Sequence, residues 1–210
     1  MIGFLKERAG GGNQPAAGDG GTAKDRPART SAVVPPVTES DHVRGPADAR
    51  YTLIEYSDYE CPYCARLHNQ VLPELDKRMG DDLRIVYRHR PLSMHEPQAS
   101  RSAMAAECVA ALEGDKAFWE YTDVLYSDAN NRDLVAVGES IGVDGDALST
   151  CLAEDRFAGD VADDKRQASK LGIQGTPTMF LRPTGDKEAR RLNGAQPAAR
   201  IAQVIRGLDT

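Results

Sequence analysis

The sequence predicts a mixed α/β fold of order β-α-β, helical block, β-β-α, in which an all-helical subdomain is inserted between the two halves of one sheet. Three observations carry this expectation. Two short β-branched and aromatic runs, residues 51–57 and 83–89, flank a segment of helical periodicity. Residues from about 96 to 172 place apolar side chains at helical spacing without a strand signal. Strand character then returns at "GTPTMFLRP", ahead of a last amphipathic run.

Taken in order, residues 1–40 differ in composition from the rest: Gly, Ala, Asn, Gln and Asp dominate from Gly10 to Gly21, followed by mixed charges and "VVPPVTES". Such a stretch buries too little apolar surface to offset the entropy of ordering it, so it reads as a disordered tail or linker. A linker joins two things, which leads to the expectation of a signal, an anchor or another domain upstream. "YTLIEYS" reads as a buried strand, and "CARLHNQVLPELDKRMG" carries Leu67, Val71, Leu72 and Leu75 at helical spacing and stops at Gly80, with Pro73 a candidate kink. "LRIVYRH" alternates Leu83, Ile85 and Tyr87 against Arg84, Val86 and Arg88, a second strand. A helical crossover between these strands implies parallel pairing.

In the helical block, Met104, Cys108, Ala111 and Leu112 form one stripe, Leu134, Val137 and Ile141 another, and Ala147, Leu148, Cys151 and Leu152 a third, with Phe118, Trp119 and Tyr121 as core plugs. After "GTPTMFLRP", "GDKEARRLNG" reads as a turn and strand, and "PAARIAQVIRGL" as a closing helix with Ile201, Val204, Ile205 and Leu208 on one side. The two sheet halves must pair if the segment after Tyr59 is to meet the loop at Pro177.

The 210-residue chain carries 26 Lys+Arg against 32 Asp+Glu, a net charge of -6, which argues against nucleic acid as a partner. No apolar run approaches the roughly 18–20 residues of a membrane span, and the apolar stretch in "MIGFLKERAGGG" is too short for a secretory signal, so the chain as written is expected to be soluble.

The chemistry concentrates in "YECPYCARLH". A helix start leaves backbone N–H groups unpaired and carries partial positive charge, so a thiol there ionises readily. Cys61 occupies that place, and its thiolate is the nucleophile of disulfide exchange. Cys64, one turn on, is the resolving thiol. Pro62 suits an early helical position because the donor it lacks has no partner there, and Tyr63 completes the dipeptide that tunes the thiolate. As zinc ligands, Cys61, Cys64 and His68 lack a fourth partner. Haem attachment requires His where Ala65 stands, and an inert disulfide within one helical turn is awkward geometrically, so no metal is expected.

Two further places add weight. An X-Pro bond in a tight turn before a strand is where cis peptides occur, and a cis Thr176-Pro177 turns backbone groups of Thr176 toward an extended peptide and keeps a donor side chain from the sulfurs. An ordinary trans turn proline is the alternative. Glu55, inside an apolar run six residues before Cys61, is a candidate acceptor for the Cys64 proton if buried, or a water-facing edge residue if not.

With these residues assembled, the sequence resembles the DsbA-like branch of the thioredoxin superfamily over about residues 41 to 209, through "DHVRGPADARYTLIEYSDYECPYC", "YRHRPLSMH", "FW", "GIQGTPTMF" and "LNGAQP". The resemblance implies a thioredoxin sheet with an inserted helical domain at about 96–172, a catalytic pair at Cys61 and Cys64, a cis-proline at Pro177, a buried acid at Glu55, and no cofactor beyond the Cys61-Cys64 disulfide. Tyr63 stands where the best-known oxidases have His, Arg90 where relatives often have an aromatic, and Glu96 where many have Pro. His89 and His95 are expected in structural or solvent roles. Cys108 and Cys151 read from the residues alone as two buried thiols or as a pair. The resemblance favours a structural disulfide, because some DsbA-like proteins staple this region, and closing 43 positions stabilises by roughly 4 kcal/mol in the chain-entropy model.

The leading expectation is a thiol-disulfide oxidoreductase acting on cysteine-containing proteins outside the cytoplasm, reoxidised, by resemblance, through a quinone-linked membrane partner of the DsbB or VKOR type. A second is a redox-responsive accessory module tethered by residues 1–40 to a membrane protein such as an ion antiporter, since similar domains occur fused to transporters. A third is a cytosolic dithiol reductase.

Overall fold

A computed structural model describes residues 31–128 and 133–208. Most of the tail predicted over 1–40, namely 1–30, lies outside them. The elements are β1 (Ser31–Val33), β2 (His42–Arg44), β3 (Tyr51–Ser57), α1 (Pro62–Arg66), a π turn (Leu67–Val71), α2 (Leu72–Met79), β4 (Leu83–His89), α3 (Gln98–Glu113), α4 (Asp115–Ser127), α5 (Leu134–Ser140), α6 (Gly145–Ala153), α7 (Ala158–Lys170), β5 (Thr178–Pro183), β6 (Glu188–Asn193) and α8 (Ala198–Arg206). The expected order β-α-β, helices, β-β-α is present, joined by two short strands ahead of it. One six-stranded sheet has the order β1-β6-β5-β3-β4-β2. β3 runs parallel to β4 and antiparallel to β5, so Glu55 sits opposite Tyr87 on one side and Met179 on the other.

The sheet is buried on both faces. One face packs Leu53, Leu83, Ile85, Tyr87, Met179 and Leu181 against α1, α2, α8 and the inserted helices. The other packs Ile54, Tyr56, Val86 and Phe180 against Ala168 of α7 and Val34. The alternation in β4 therefore separates two covered faces: Val86 is fully buried and Arg88 nearly so. In α3, Ala103, Ala105 and Ala106 are buried, small side chains that let neighbouring helices approach closely, and Cys108 on this helix is bonded to Cys151 on α6 with an S–S distance of 2.01 Å.

The helix after Cys61 departs from a regular helix at the π turn. Pro73, at the start of α2, has no N–H to donate, and the register slips by one residue, Leu72 N–H reaching back to the Leu67 carbonyl.

Residues 31–40 correct the expectation of a linker running through residue 40. β1 pairs with β6, and Val34 is buried. Two buried arginines capture the proline-rich backbone that follows. Arg182 donates to the Val34 carbonyl at 3.1 Å, while Arg88 donates to the Pro36 carbonyl at 2.9 Å and to both carboxylate oxygens of Asp41 at 2.7 and 2.9 Å. A Pro-Pro segment has no periodicity to read, and its order comes from guanidinium groups more than 50 positions away.

This strap generates a prediction. Removing residues 1–40 strips a buried Val34, worth about 1.5–3 kcal/mol, and leaves buried guanidinium donors without acceptors at roughly 1–3 kcal/mol. Urea unfolding is expected to show a loss of at least about 2 kcal/mol relative to a chain starting at Ser31. Equal midpoints for the two chains would remove the strap from the folded core.

Candidate active site

The site begins where β3 ends. The chain turns through Asp58, whose carboxylate accepts from Glu60 N–H at 2.8 Å, and Cys61 N–H donates to the Asp58 carbonyl at 3.1 Å. Cys61 takes the N-cap position in extended conformation, with Pro62 at the first helical position. Its carbonyl accepts from Cys64 N–H at 3.0 Å and Ala65 N–H at 3.1 Å, closing the first turn. Both cysteines are free thiols. Cys64 is fully buried and Cys61 nearly so, while Tyr63 between them is 62% exposed and Met94, next to the His95 that meets Asp58, is 81% exposed.

Opposite the sulfurs lies the loop before β5. The Thr176-Pro177 peptide is cis, and the Cys61 thiol donates to the Thr176 carbonyl at 3.4 Å. The Pro177 carbonyl accepts from Gly194 N–H at 2.8 Å, tying this loop to the end of β6. A cleft of about 240 Å³ beside it is lined by Gly175, Thr176, Pro177, Thr178, Arg191 and Asn193 among others. Arg191 holds one wall, donating to the Leu171 and Gly172 carbonyls at 3.1 and 3.2 Å. Sequence-predicted Cys61, Cys64, Thr176 and Pro177 are thus brought together across 115 positions of chain.

The two thiols are made unequal by their surroundings. The Cys61 thiol is lowered to about 5, first by the Cys64 thiol donating to its sulfur, then by the Thr176 side chain and the backbone N–H groups of Cys64 and Tyr63, against an opposing effect of burial. Burial pushes the Cys64 thiol well above its ordinary value, reinforced by the sulfur of Cys61. One sulfur is therefore a thiolate near neutrality, and its partner keeps its proton.

Glu55 is fully buried in β3, a strand flanked on both sides, and Glu55 Oε1 meets His68 Nε2 at 2.7 Å. His68 is thereby turned to the acid instead of joining the sulfurs as a ligand. Among the described residues no group of three or more His, Cys, Asp or Glu could hold a metal ion. His95 Nδ1 meets Asp58 Oδ2 at 2.8 Å, and Leu92 N–H donates to the same oxygen at 2.9 Å, so Asp58 pins the loop after β4 to the dithiol turn. His89 Nε2 meets Glu107 of α3 at 2.8 Å. Arg90 donates to the Ile173 carbonyl at 3.2 Å, linking the end of β4 to the cis-proline loop, and Glu96 pairs with Lys165 of α7 at 2.7 Å. Sequence reading missed Asp58 and the His68–Glu55 pair. Their signals were present: an Asp two residues before Glu60 is an Asx-turn pattern, and a His four residues after Cys64 shares its helix face.

A strand leading into a dithiol at a helix start, facing a cis-proline loop on an antiparallel neighbour, defines the thioredoxin class of fold. The family model described as Thioredoxin matches residues 37–193, and the chain belongs to that family; the inserted helices give it the fold of the family's DsbA-like branch. BdbD from Bacillus subtilis superposes with a TM-score of 0.73 at 21% identity, over 86% of this chain and 99% of that one. DsbA2 of Pseudomonas aeruginosa gives 0.68 at 27% identity, over 82% and 96%. In sequence, the chain is 39% identical over 154 residues to the Na(+)/H(+) antiporter NhaA 3 of Salinispora tropica, 71% of this chain and 22% of that protein. The chain spans about a quarter of the length of the antiporters it matches, between 22% and 28%. Among the described residues no helix is long and apolar enough to cross a membrane.

The thiol asymmetry predicts the outcome of alkylation. Iodoacetamide is expected to label Cys61 with a midpoint near pH 5, with Cys64 unlabelled through neutrality. In Cys64→Ala the Cys61 midpoint moves upward, because the leading stabiliser of the thiolate is gone. An unmoved midpoint would assign the low value to the backbone alone.

Proposed function

We propose that this chain is a protein-disulfide oxidoreductase that exchanges disulfides with cysteine-containing proteins, with Cys61 the nucleophile and Cys64 the resolving thiol. The observation that carries this reading is the asymmetry of the pair: a Cys61 held near 5 at the mouth of the site, beside a buried Cys64 pushed the opposite way. The DsbA-like fold supports the same reading.

In the oxidising direction the pair starts as a disulfide. A substrate thiolate attacks the Cys61 sulfur, the Cys61–Cys64 bond breaks, and Cys64 leaves with the electron pair and takes up a proton. A second substrate thiolate then attacks its own sulfur in the mixed disulfide, and Cys61 leaves as a thiolate, which its surroundings stabilise. Two electrons pass from substrate to enzyme. Because stabilising the Cys61 thiolate stabilises the dithiol form, it raises the reduction potential and favours this direction. The extended backbone of a substrate lies against the Thr176 and Pro177 groups beside Tyr63 and Met94. Reoxidation requires an acceptor, and a quinone-linked membrane partner of the DsbB or VKOR type, acting outside the cytoplasm, fits that role; no other cofactor enters the scheme.

A second reading is supported by the sequence relatives: the matched region is one part of much longer proteins named as Na(+)/H(+) antiporters. On this reading the domain is a redox-responsive module tethered through its N-terminal residues to a membrane transporter, and the same dithiol switches it.

The purified chain is expected to oxidise a reduced, unfolded test protein and to reduce insulin, and Cys61→Ser to lose both by at least about a hundredfold, since the thiolate is the attacking atom. Wild-type turnover in Cys61→Ser would overturn the assignment. A redox titration of the pair then sets direction, a potential well above that of thioredoxin, about −270 mV, being expected.

A further inference from the structure

Two guanidinium groups hold the loop that leads into the cis-proline. Arg191 donates to the Leu171 and Gly172 carbonyls at 3.1 and 3.2 Å, and Arg90 to the Ile173 carbonyl at 3.2 Å. These acceptors are neutral, and so is Asn193 Oδ1, which takes the Arg191 Nε–H at 2.9 Å. Neutral acceptors orient a guanidinium without cancelling its charge. Arg44 and Arg88 differ, each being matched to a carboxylate, Asp123 and Asp41. Among the described residues neither Arg191 nor Arg90 forms a salt bridge. Arg191 also lines the cleft of about 240 Å³ beside Pro177, and no acidic side chain among the described residues lines it. On a chain of net charge -6 this cleft is a local reversal of sign.

The unmatched charge is also fixed in place and close to the chemistry. Arg191 sits opposite Phe180 in the β5–β6 register, its guanidinium 5.9 Å from the centre of the Phe180 ring. Its Nε–H and one N–H from each terminal nitrogen are taken up by Asn193 and the loop. Each terminal nitrogen keeps a second N–H, and two such groups suit the two oxygens of a carboxylate. Thr176 lines the cleft, and its carbonyl accepts from the Cys61 thiol at 3.4 Å. An extended peptide rises about 3.3 Å per residue. One that places its cysteine at Cys61 and its backbone along Thr176 and Pro177 therefore brings a residue within two positions of that cysteine over the cleft.

We infer that this cleft is a subsite for an acidic side chain of the substrate, held by Arg191 within two residues of the reacting cysteine. The inference rests on the disulfide-exchange reading above and names the substrates it favours: proteins whose reacting cysteine has Asp or Glu as a near neighbour. The bonds made and broken at sulfur are unchanged. Arg191 decides which cysteine is presented, through a charge-assisted, two-pronged contact that a neutral or basic neighbour cannot make. Arg90, on the next carbonyl of the same loop, adds positive charge to the approach.

The test follows reduction of the oxidised full chain by two-cysteine peptides, amidated at the C terminus, that carry Asp, Asn or Lys one or two positions from the first cysteine. Each second-order rate is divided by that of the same peptide with hydroxyethyl disulfide, which removes the effect of the neighbouring charge on the peptide's own thiol. Wild type is expected to favour Asp over Asn by about fivefold or more at one of these positions. Arg191→Gln brings that ratio near one, Arg191→Glu favours Lys, and Arg191→Lys, which keeps the charge and loses the fork, falls between. Equal slowing of the Asp and Asn peptides in Arg191→Gln assigns Arg191 to holding the loop alone and overturns the inference. A wild-type ratio of one at every position does the same, and both results leave the function standing. Failure of the wild type to oxidise any of the peptides overturns the function itself. Should Arg191→Gln and Arg191→Glu not fold, the wild-type ratio decides: it is expected to fall severalfold as salt rises from about 0.01 to 1 M, and a ratio indifferent to salt overturns the subsite.

Discussion

The whole arrangement depends on keeping one sulfur anionic next to another that is not. Cys61 stands at a helix start, where N–H groups of Tyr63 and Cys64 and the thiol of Cys64 favour negative charge. Cys64, on the first turn of the same helix, faces the core, where burial opposes it. A pair equally exposed would share its proton and attack poorly; a pair equally buried would not ionise at all. The direction in which α1 leaves β3 sets the difference, and that direction follows from the turn at Asp58 and the missing donor of Pro62.

The sheet supplies the second requirement, a loop held opposite the sulfurs. Thr176 and Pro177 come after the inserted helices, and only the antiparallel pairing of β5 with β3 returns them to Cys61. Asp58, Arg90 and the main-chain bond from Gly194 to Pro177 fasten the loops around the two sulfurs to one another. The other two cysteines are placed differently: Cys108 and Cys151 are bonded to each other and buried within the helical insertion.

On the far face of the sheet, Arg88 and Arg182 hold residues 34–41 as a strap. Buried guanidinium groups need several acceptors, and backbone carbonyls of a proline-rich segment, whose own N–H partners are few, provide them without competition. The chain that leads into the domain is therefore packed against the same sheet that carries Glu55 and its His68 partner. A tether pulled from the N-terminal side would load this strap first, which gives the module reading a physical point of attachment.

Much of this was legible in the residues. The limits of β3 and β4, the parallel crossover, the closing helix, and the redox pair at a helix start all follow from local patterns: period, capping, and a missing donor. What required the folded chain was everything set by partners distant in sequence. The Val34–Pro36 segment looked like linker because arginines supply its order. Alternation in β4 cannot say whether the face that carries Arg88 is covered, and here α7 covers it. His68 had no partner legible in the sequence, and the fold places Glu55 against it at 2.7 Å. Short-range chemistry is written in adjacent residues, whereas burial and long-range hydrogen bonds belong to the packing of the whole chain, and it is packing that decides which carboxylate, imidazole or guanidinium is cut off from water and must find its partner inside.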